Sequence, residues 1–286
     1  MKPNNDFRLL LAMIVCVVHS AQLSAAPALG WVPVDASTAA VLAFFALSGH
    51  AMAGSFERSR SVPRFLWRRV LRIYPAYAAT VLCASAALVA LSPGANVGDW
   101  LRYLAANLAF ANWVHPGIEG VFSSNRIPAI NGALWTMKCE VVCYAAVPAL
   151  FAVARRVGWA PTLAVLVACG CALGAPHGLL LASFACGLAW HRWRGTVGVE
   201  RAPRASEDLS YGVYLTHFPI VQGLVAAGAF AVAPNCATVL ALAGALGGAL
   251  ALRHGVERPV RQAVDYFGVL FAKRTFLSSL PLELPK

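Results

Sequence analysis

The sequence predicts an all-α protein, a polytopic transmembrane bundle of about eight spans, up to ten at most, with both termini in the cytoplasm. Three observations predict it. Of the 286 residues 59% are apolar and only 12% are charged, against about 25% charged in a soluble domain. The apolar residues fall into repeated runs near the ~20-residue length that crosses a bilayer. The basic residues fall between those runs on alternate sides, so that one side collects most of them.

The expected spans are 7–25, 36–54, 73–92, 132–153, 159–174, 177–191, 209–232 and 236–253. Arginine and lysine set their direction, because basic loops stay on the cytoplasmic side. With the N-terminus inside, 20 of the 23 basic residues lie inside, and only Arg102, Arg126 and Lys138 do not. The stretch 99–114 is apolar but interrupted by Asp99, Arg102, Asn107 and Asn112, so it reads as a surface or re-entrant segment. A ninth span there would reverse the basic loops that follow. A cleaved signal peptide is the competing reading of the first run. Asp6 in its basic region and His19 at the end of its apolar run favour a retained helix.

The formal net charge of +11 raises the question of nucleic acid. The arginines are dispersed between apolar runs, a pattern of membrane topology and anionic headgroup contact, and no nucleic-acid partner is expected. The lipid bilayer is the first partner implied. None of the eight cysteines forms a Cys-x-x-Cys pair, so they read as small packing residues and no metal site is expected.

Ionisable groups within spans are costly and mark candidate sites. Arg8 and His19 are 11 residues apart, almost three helical turns, so they share one face about 16 Å apart. An imidazole there can take a proton from a hydroxyl near neutral pH. Glu140 sits near the outer end of the fourth span and needs a partner or water. Arg69 and Arg72 are three apart on one helical face, where two guanidinium forks can grip a phosphate; a basic topology anchor is the plainer alternative. Tyr211, Tyr214 and His217 enter the seventh span together. Ser48 and Gly49 follow Phe44 and Phe45 in the second. Together these residues suit acid–base chemistry, or a proton or ion pathway.

In order along the chain, these motifs resemble those of the acyltransferase 3 family of bacterial membrane O-acyltransferases. They are an arginine, ten residues and a histidine (Arg8, His19); Phe-Phe-x-x-Ser-Gly (Phe44, Phe45, Ser48, Gly49); and Arg-x-x-Arg-x-x-Pro (Arg69, Arg72, Pro75). Then follow Leu-Trp-Thr-x-x-x-Glu (Leu134, Trp135, Thr136, Glu140), Ser-Tyr-x-x-Tyr-Leu-x-His-x-Pro (Ser210 to Pro219) and Val-Glu-Arg-Pro (Val256 to Pro259). His50 stands where an aromatic residue often follows Ser-Gly, and the chain has fewer spans than the family typically shows.

The resemblance implies a domain over 6–262 followed by a cytoplasmic tail, 263–286, in the bacterial inner membrane. It implies transfer of an acyl group, usually acetyl, from acyl-CoA to a hydroxyl on a cell-envelope glycan or a lipid-linked acceptor. No cofactor is bound permanently; acyl-CoA is the donor substrate. Arg69 and Arg72 would hold the donor, with Arg8 helping or orienting the first helix. His19 would act as base or as a transient acyl-histidine. Glu140 would orient His19 or bind the acceptor. Tyr211, Tyr214 and His217 would bind substrate or stabilise an oxyanion, while Ser48 and Trp135 complete the motifs. The competing reading is a transporter or glycan-export partner with buried His, Glu and Arg along its path; an inactive structural member of the family is a third.

Overall fold

A computed structural model describes residues 3–59, 61–194 and 208–266. Arg60, most of the basic loop 192–208 and the part of the expected tail from 267 to 286 lie outside the described residues. The described chain is helical, with no strand. Its elements are α1 (Pro3–Ser24), α2 (Asp35–Ser59), α3 (Val62–Leu91), α4 (Val97–Leu108), α5 (Trp135–Val157), α6 (Trp159–Leu173), α7 (His177–Arg194), α8 (Ser210–Ala226), α9 (Ala229–Val232) and α10 (Pro234–Leu252). A π-helical segment, Arg253–Glu257, carries α10 onward, so that one helical rod runs Pro234–Tyr266.

Five segments are long and apolar enough to cross a membrane: Asn5–Ser24, Asp35–Ser59, Val62–Leu91, Gly132–Val157 and Pro234–Tyr266. Helices also occupy the three other expected spans. Of these, α6 is short, at 15 residues, as is α8, at 17 residues. α7 carries His191, Arg192 and Arg194 in its last turn.

Two helices depart most from the expected boundaries: the last rod runs to Tyr266 and not to 253, and α3 starts at Val62 and not at 73. Four arginines lower the hydropathy of residues 62–72 but do not oppose a helix, since arginine is among the good helix formers. The Ser61 hydroxyl caps the start by accepting from the Arg64 N–H at 3.5 Å. Residues 99–114 are not a span. α4 covers the first part, capped by the Asn96 side chain, which accepts from the Asp99 N–H at 3.0 Å, and turns follow. The expected seventh span, 209–232, breaks at Gly228, whose φ of +71° lets the chain turn between α8 and α9.

Lipid tails are as apolar as side chains, so the helices are drawn together by close approach and polar contacts. α2 and α7 meet through glycines. Gly49 abuts the Phe184 backbone, and Gly187 abuts the Ala46 carbonyl and the His50 N–H. A methyl group at either position would overlap backbone atoms. α6 and α7 meet the same way at Gly170 and Gly178.

Asparagines and a glutamine tie down the long connection after α4. Gln222 of α8 is fully buried; it donates to the carbonyls of Ile127 and Ala129 at 2.5 and 2.8 Å and accepts from Asn125 at 2.8 Å. Asn107 donates to the His115 carbonyl at 2.9 Å. A carboxamide both donates and accepts, which suits a loop whose backbone groups lack helical partners. Asp99 completes the clamp. One oxygen meets His115 Nε2 at 2.8 Å and the other accepts from the Glu119 N–H at 2.8 Å. That Glu119 N–H holds the Asp99 carboxyl below its usual range; desolvation opposes it, and His115 and Arg102 add to the lowering.

Two outcomes follow from these contacts. Gly187→Leu forces α2 and α7 apart, at a cost of at least the about 1–3 kcal/mol of ordinary overpacking. It will lower the Tm and the yield of monodisperse protein in detergent. Gly247→Ala, where an added methyl meets nothing within 4 Å, will not. Because the Asp99 carboxyl titrates low in the folded chain, its clamp is at full strength above the ordinary carboxylate range and is lost as pH falls through the folded value. Hydrogen exchange over 111–121 will therefore rise on acidification in the wild type. In Asp99→Asn it will already be raised at neutral pH.

Candidate active site

Tyr211, Tyr214 and His217 are spaced by three residues and form one stripe along α8. Opposite that stripe stands α1, and the two helices run parallel: Arg8 meets Asp208 just before α8, and His19 meets His217 farther along.

At the first end, Asp208 is 7% exposed and lies 3.3 Å from Arg8 Nε and 3.5 Å from Arg72. Its other oxygen accepts from the N–H and the hydroxyl of Ser210 at 3.0 and 2.5 Å. One carboxylate thus joins α1, α3 and the positive N-terminus of α8. Arg69 is held differently. It reaches Ser55 Oγ at 3.4 Å and Met52 Sδ at 3.7 Å, lies over Phe65, and makes no ion pair among the described residues.

Arg69 and Arg72 line a cavity of about 340 Å³, together with Arg68, Asp208, Tyr211 and Arg261. Tyr211 is shared with a smaller cavity of about 40 Å³, lined by Arg8, Phe44, Ser48, Thr136, Glu140 and Tyr214 among others. In it Glu140 accepts a short hydrogen bond from Tyr144 and a longer one, 3.5 Å, from Ser48. The glutamate is therefore partnered by hydroxyls, and the ring partner of His19 is His217.

Both stripe tyrosines have committed their O–H groups. Tyr211 donates to the Ile73 carbonyl at 2.9 Å. Tyr214 has the Ala133 carbonyl at 3.0 Å and the Thr136 hydroxyl at 2.7 Å, either of which can take its hydrogen. With one hydrogen each, neither has a donor left for an oxyanion; they offer ring surface to the cavity.

Beyond Tyr214, with ring centroids 5.7 Å apart, lies His217, which is fully buried. Its Nε2 is 2.8 Å from Nδ1 of His19, whose ring remains partly exposed. The two ring planes differ by 4° and the centroids are 5.1 Å apart. That separation equals the N···N distance plus one ring radius at each end, so the imidazoles meet edge to edge in one plane rather than face to face. Phe218 packs edge-on against His19 at 5.4 Å. Neither histidine is among the residues that line these two cavities; Tyr214, in the wall of the inner one, packs against His217.

Pro219 explains part of this geometry. It has no N–H to give the Leu215 carbonyl four residues back. Asn131 supplies the missing donor at 2.8 Å, which fixes the start of the Gly-Ala-Leu-Trp-Thr segment against α8. Trp135 itself points elsewhere, to an edge contact with His177 at 5.7 Å. His50 plays the aromatic part expected at its position, stacking on Trp190 at 4.6 Å. Beside it His191 and Arg192 of α7 hold Glu57 of α2 at 2.9 and 3.5 Å.

Two residues of the site escaped the sequence reading. Tyr144 is one turn from Glu140, a spacing at which helical side chains meet. Asp208 stands two residues before the Ser-Tyr motif in a charge-rich stretch.

The acyltransferase 3 family profile, an acyltransferase domain, matches residues 6–185. The chain belongs to this family. The match carries the motifs from Arg8 to Glu140 and ends before those of α8. Nodulation protein 10 of Rhizobium leguminosarum bv. viciae is 30% identical over 146 residues, 46% of this chain and 38% of the relative. Acyltransferase MdmB of Streptomyces mycarofaciens is 29% identical over 155 residues, 51% of this chain and 38% of the relative. The O-acetyl transferase of Shigella phage Sf6 is 31% identical over 151 residues, 48% of this chain and 42% of the relative. The chain thus spans about two fifths of the length of these curated relatives. No solved structure matches it.

Proposed function

We propose that this chain is a membrane O-acyltransferase that moves an acyl group, acetyl by preference, from cytoplasmic acyl-CoA to a hydroxyl of a cell-envelope glycan or a lipid-linked acceptor. Its place is the bacterial inner membrane, with eight spans and both ends inside. Residues 6–262 form the acyltransferase domain and 263–286 a cytoplasmic tail. The parallel course of α1 and α8 supports this order, because the first and seventh of eight spans run the same way. The ion pairs of Asp208 and of Glu57 support it too, because they gather the basic ends of α1, α3, α2 and α7 on one side.

The observation that carries the activity is the pair of adjoining cavities. Coenzyme A is rich in phosphate. The larger cavity offers Arg68, Arg69 and Arg261 along with Arg72, and charge-assisted bonds from such groups are the strong ones. Arg69, free of any carboxylate among the described residues, is the best placed to take a phosphate. Arg8 and Arg72 are pre-positioned by Asp208. The inner cavity is small. One water needs ~10–15 Å³ on this scale, so about 40 Å³ suits a two-carbon acyl group better than a long chain.

His19 is the base. It takes the acceptor's hydroxyl proton as that oxygen bonds to the thioester carbon; the carbon–sulfur bond breaks, and the departing sulfur receives the proton. Glu140, held by Tyr144 and Ser48, lines the inner cavity as an acceptor for substrate hydrogen bonds.

The test is purified protein in lipid nanodiscs with labelled acetyl-CoA and envelope glycan. His19→Ala will lower transfer by about 10²–10⁴-fold, the usual worth of a positioned base, with unchanged folding. Arg69→Ala will raise the donor KM with a smaller change in kcat. Full transfer by a well-folded His19→Ala protein removes the imidazole from the chemistry. Coupled flux without acylated product makes the chain a transporter.

A further inference from the structure

We infer that His217 is a positioning residue that decides which nitrogen of His19 is left free to act. The inference rests on His19 being the base.

The chain of hydrogen bonds can be followed from its fixed end. His217 Nδ1 lies 3.2 Å from the Val213 carbonyl, one turn earlier on α8. A carbonyl only accepts, so His217 Nδ1 carries the hydrogen. A neutral imidazole has one N–H, and Nε2 of His217 is therefore an acceptor. Its neighbour at 2.8 Å, His19 Nδ1, must be the donor. That leaves the His19 Nε2 lone pair free to take a proton. The coplanar meeting of the rings, 4° apart, is the direction in which an imidazole lone pair accepts best. The hydrogen bond made by one histidine nitrogen sets the state of the other; here a helix carbonyl sets it through a second ring.

The arrangement does the orienting work of the carboxylate in a serine hydrolase triad without adding a charge to the helix bundle. A lone carboxylate here would need its own partner within the membrane. When His19 Nε2 takes the hydroxyl proton, Nδ1–H stays on its own ring and His217 Nε2 accepts it as a charge-assisted bond. The proton then leaves from Nε2 to the thiolate, and the Nδ1 bond holds the ring in place throughout. His217 has no nitrogen left over for an oxyanion, so its function passes through His19. Phe218 at the edge of His19 and Tyr214 behind His217 leave the rings little room to turn.

The experiment compares His217→Leu with His217→Gln, whose amide oxygen can still accept from His19 Nδ1–H. Full turnover assays are run alongside carbethoxylation of His19 by diethyl pyrocarbonate, mapped by mass spectrometry. The reagent attacks an unprotonated imidazole nitrogen and needs no catalysis. The Leu variant will lose kcat by about 10²-fold or more with the donor KM unchanged, shift the pH profile, and slow carbethoxylation of His19. The Gln variant will recover about tenfold, the worth of one restored hydrogen bond. Wild-type kcat and unchanged His19 reactivity in the Leu variant would overturn the inference. Nitrogen-15 NMR of histidine-labelled wild type gives a measurement free of folding effects: His19 with its hydrogen on Nδ1 supports the assignment, and with it on Nε2 the assignment fails. If His19→Ala keeps full activity, the base assignment fails instead, while the carbethoxylation and NMR results still report the pairing.

Discussion

The parallel pairing of α1 with α8 is the contact on which the rest of the site depends. Its two ends are fastened by different chemistry. An ion pair, Arg8 with Asp208, holds the end near the aqueous boundary, where charge is tolerable. A hydrogen bond between neutral rings holds the deeper end. Along α1 these two fastenings are about 16 Å apart, which fixes the rotation and register of both helices. Nothing in the hydrocarbon would do so, because one apolar helix face is as good as another to a lipid tail.

Several of the family's motif residues divide between chemistry and packing in a way that spacing alone does not reveal. Ser48 turns to Glu140, while its neighbour Gly49 lets α7 approach α2. Thr136 fixes the Tyr214 hydroxyl, and Pro219 releases a carbonyl that Asn131 then takes. These side chains hold a wall in place so that a few others can act.

The helices were legible because long apolar runs are a direct physical requirement of the bilayer. The boundary of α3 was less so, since hydropathy falls at arginines that a helix accepts readily. α4 was legible as a surface segment from its interrupting polar residues. Within the site, the Arg69–Arg72 face and the α8 stripe follow from helical periodicity. The meeting of His19 with His217 does not, because 198 positions separate them and only the packed bundle brings them together. The hydroxyl partners of Glu140 are not legible for the same reason: Ser48 lies 92 positions away, and of the two roles open to the glutamate, orienting His19 or binding the acceptor, these contacts favour the second. Asp208 is hard to single out because, next to Glu207 and close to Arg201 and Arg204, it looks like the composition of a charged loop until the geometry shows it joining three helices.

Tyr214 carries a further meaning through its place beside His217. A membrane that stores energy as an ion gradient puts about 2.3 kcal/mol behind each unit charge per 100 mV. A pair of imidazoles in a continuous water column would be an efficient route for hydrogen ions and would dissipate that store. One aromatic ring, hydrogen-bonded through its hydroxyl to Ala133 and Thr136, stands in the inner cavity's wall beside His217 and narrows any such column. A ring placed there limits hydrogen-ion leak through a bilayer protein that holds two imidazoles in its interior.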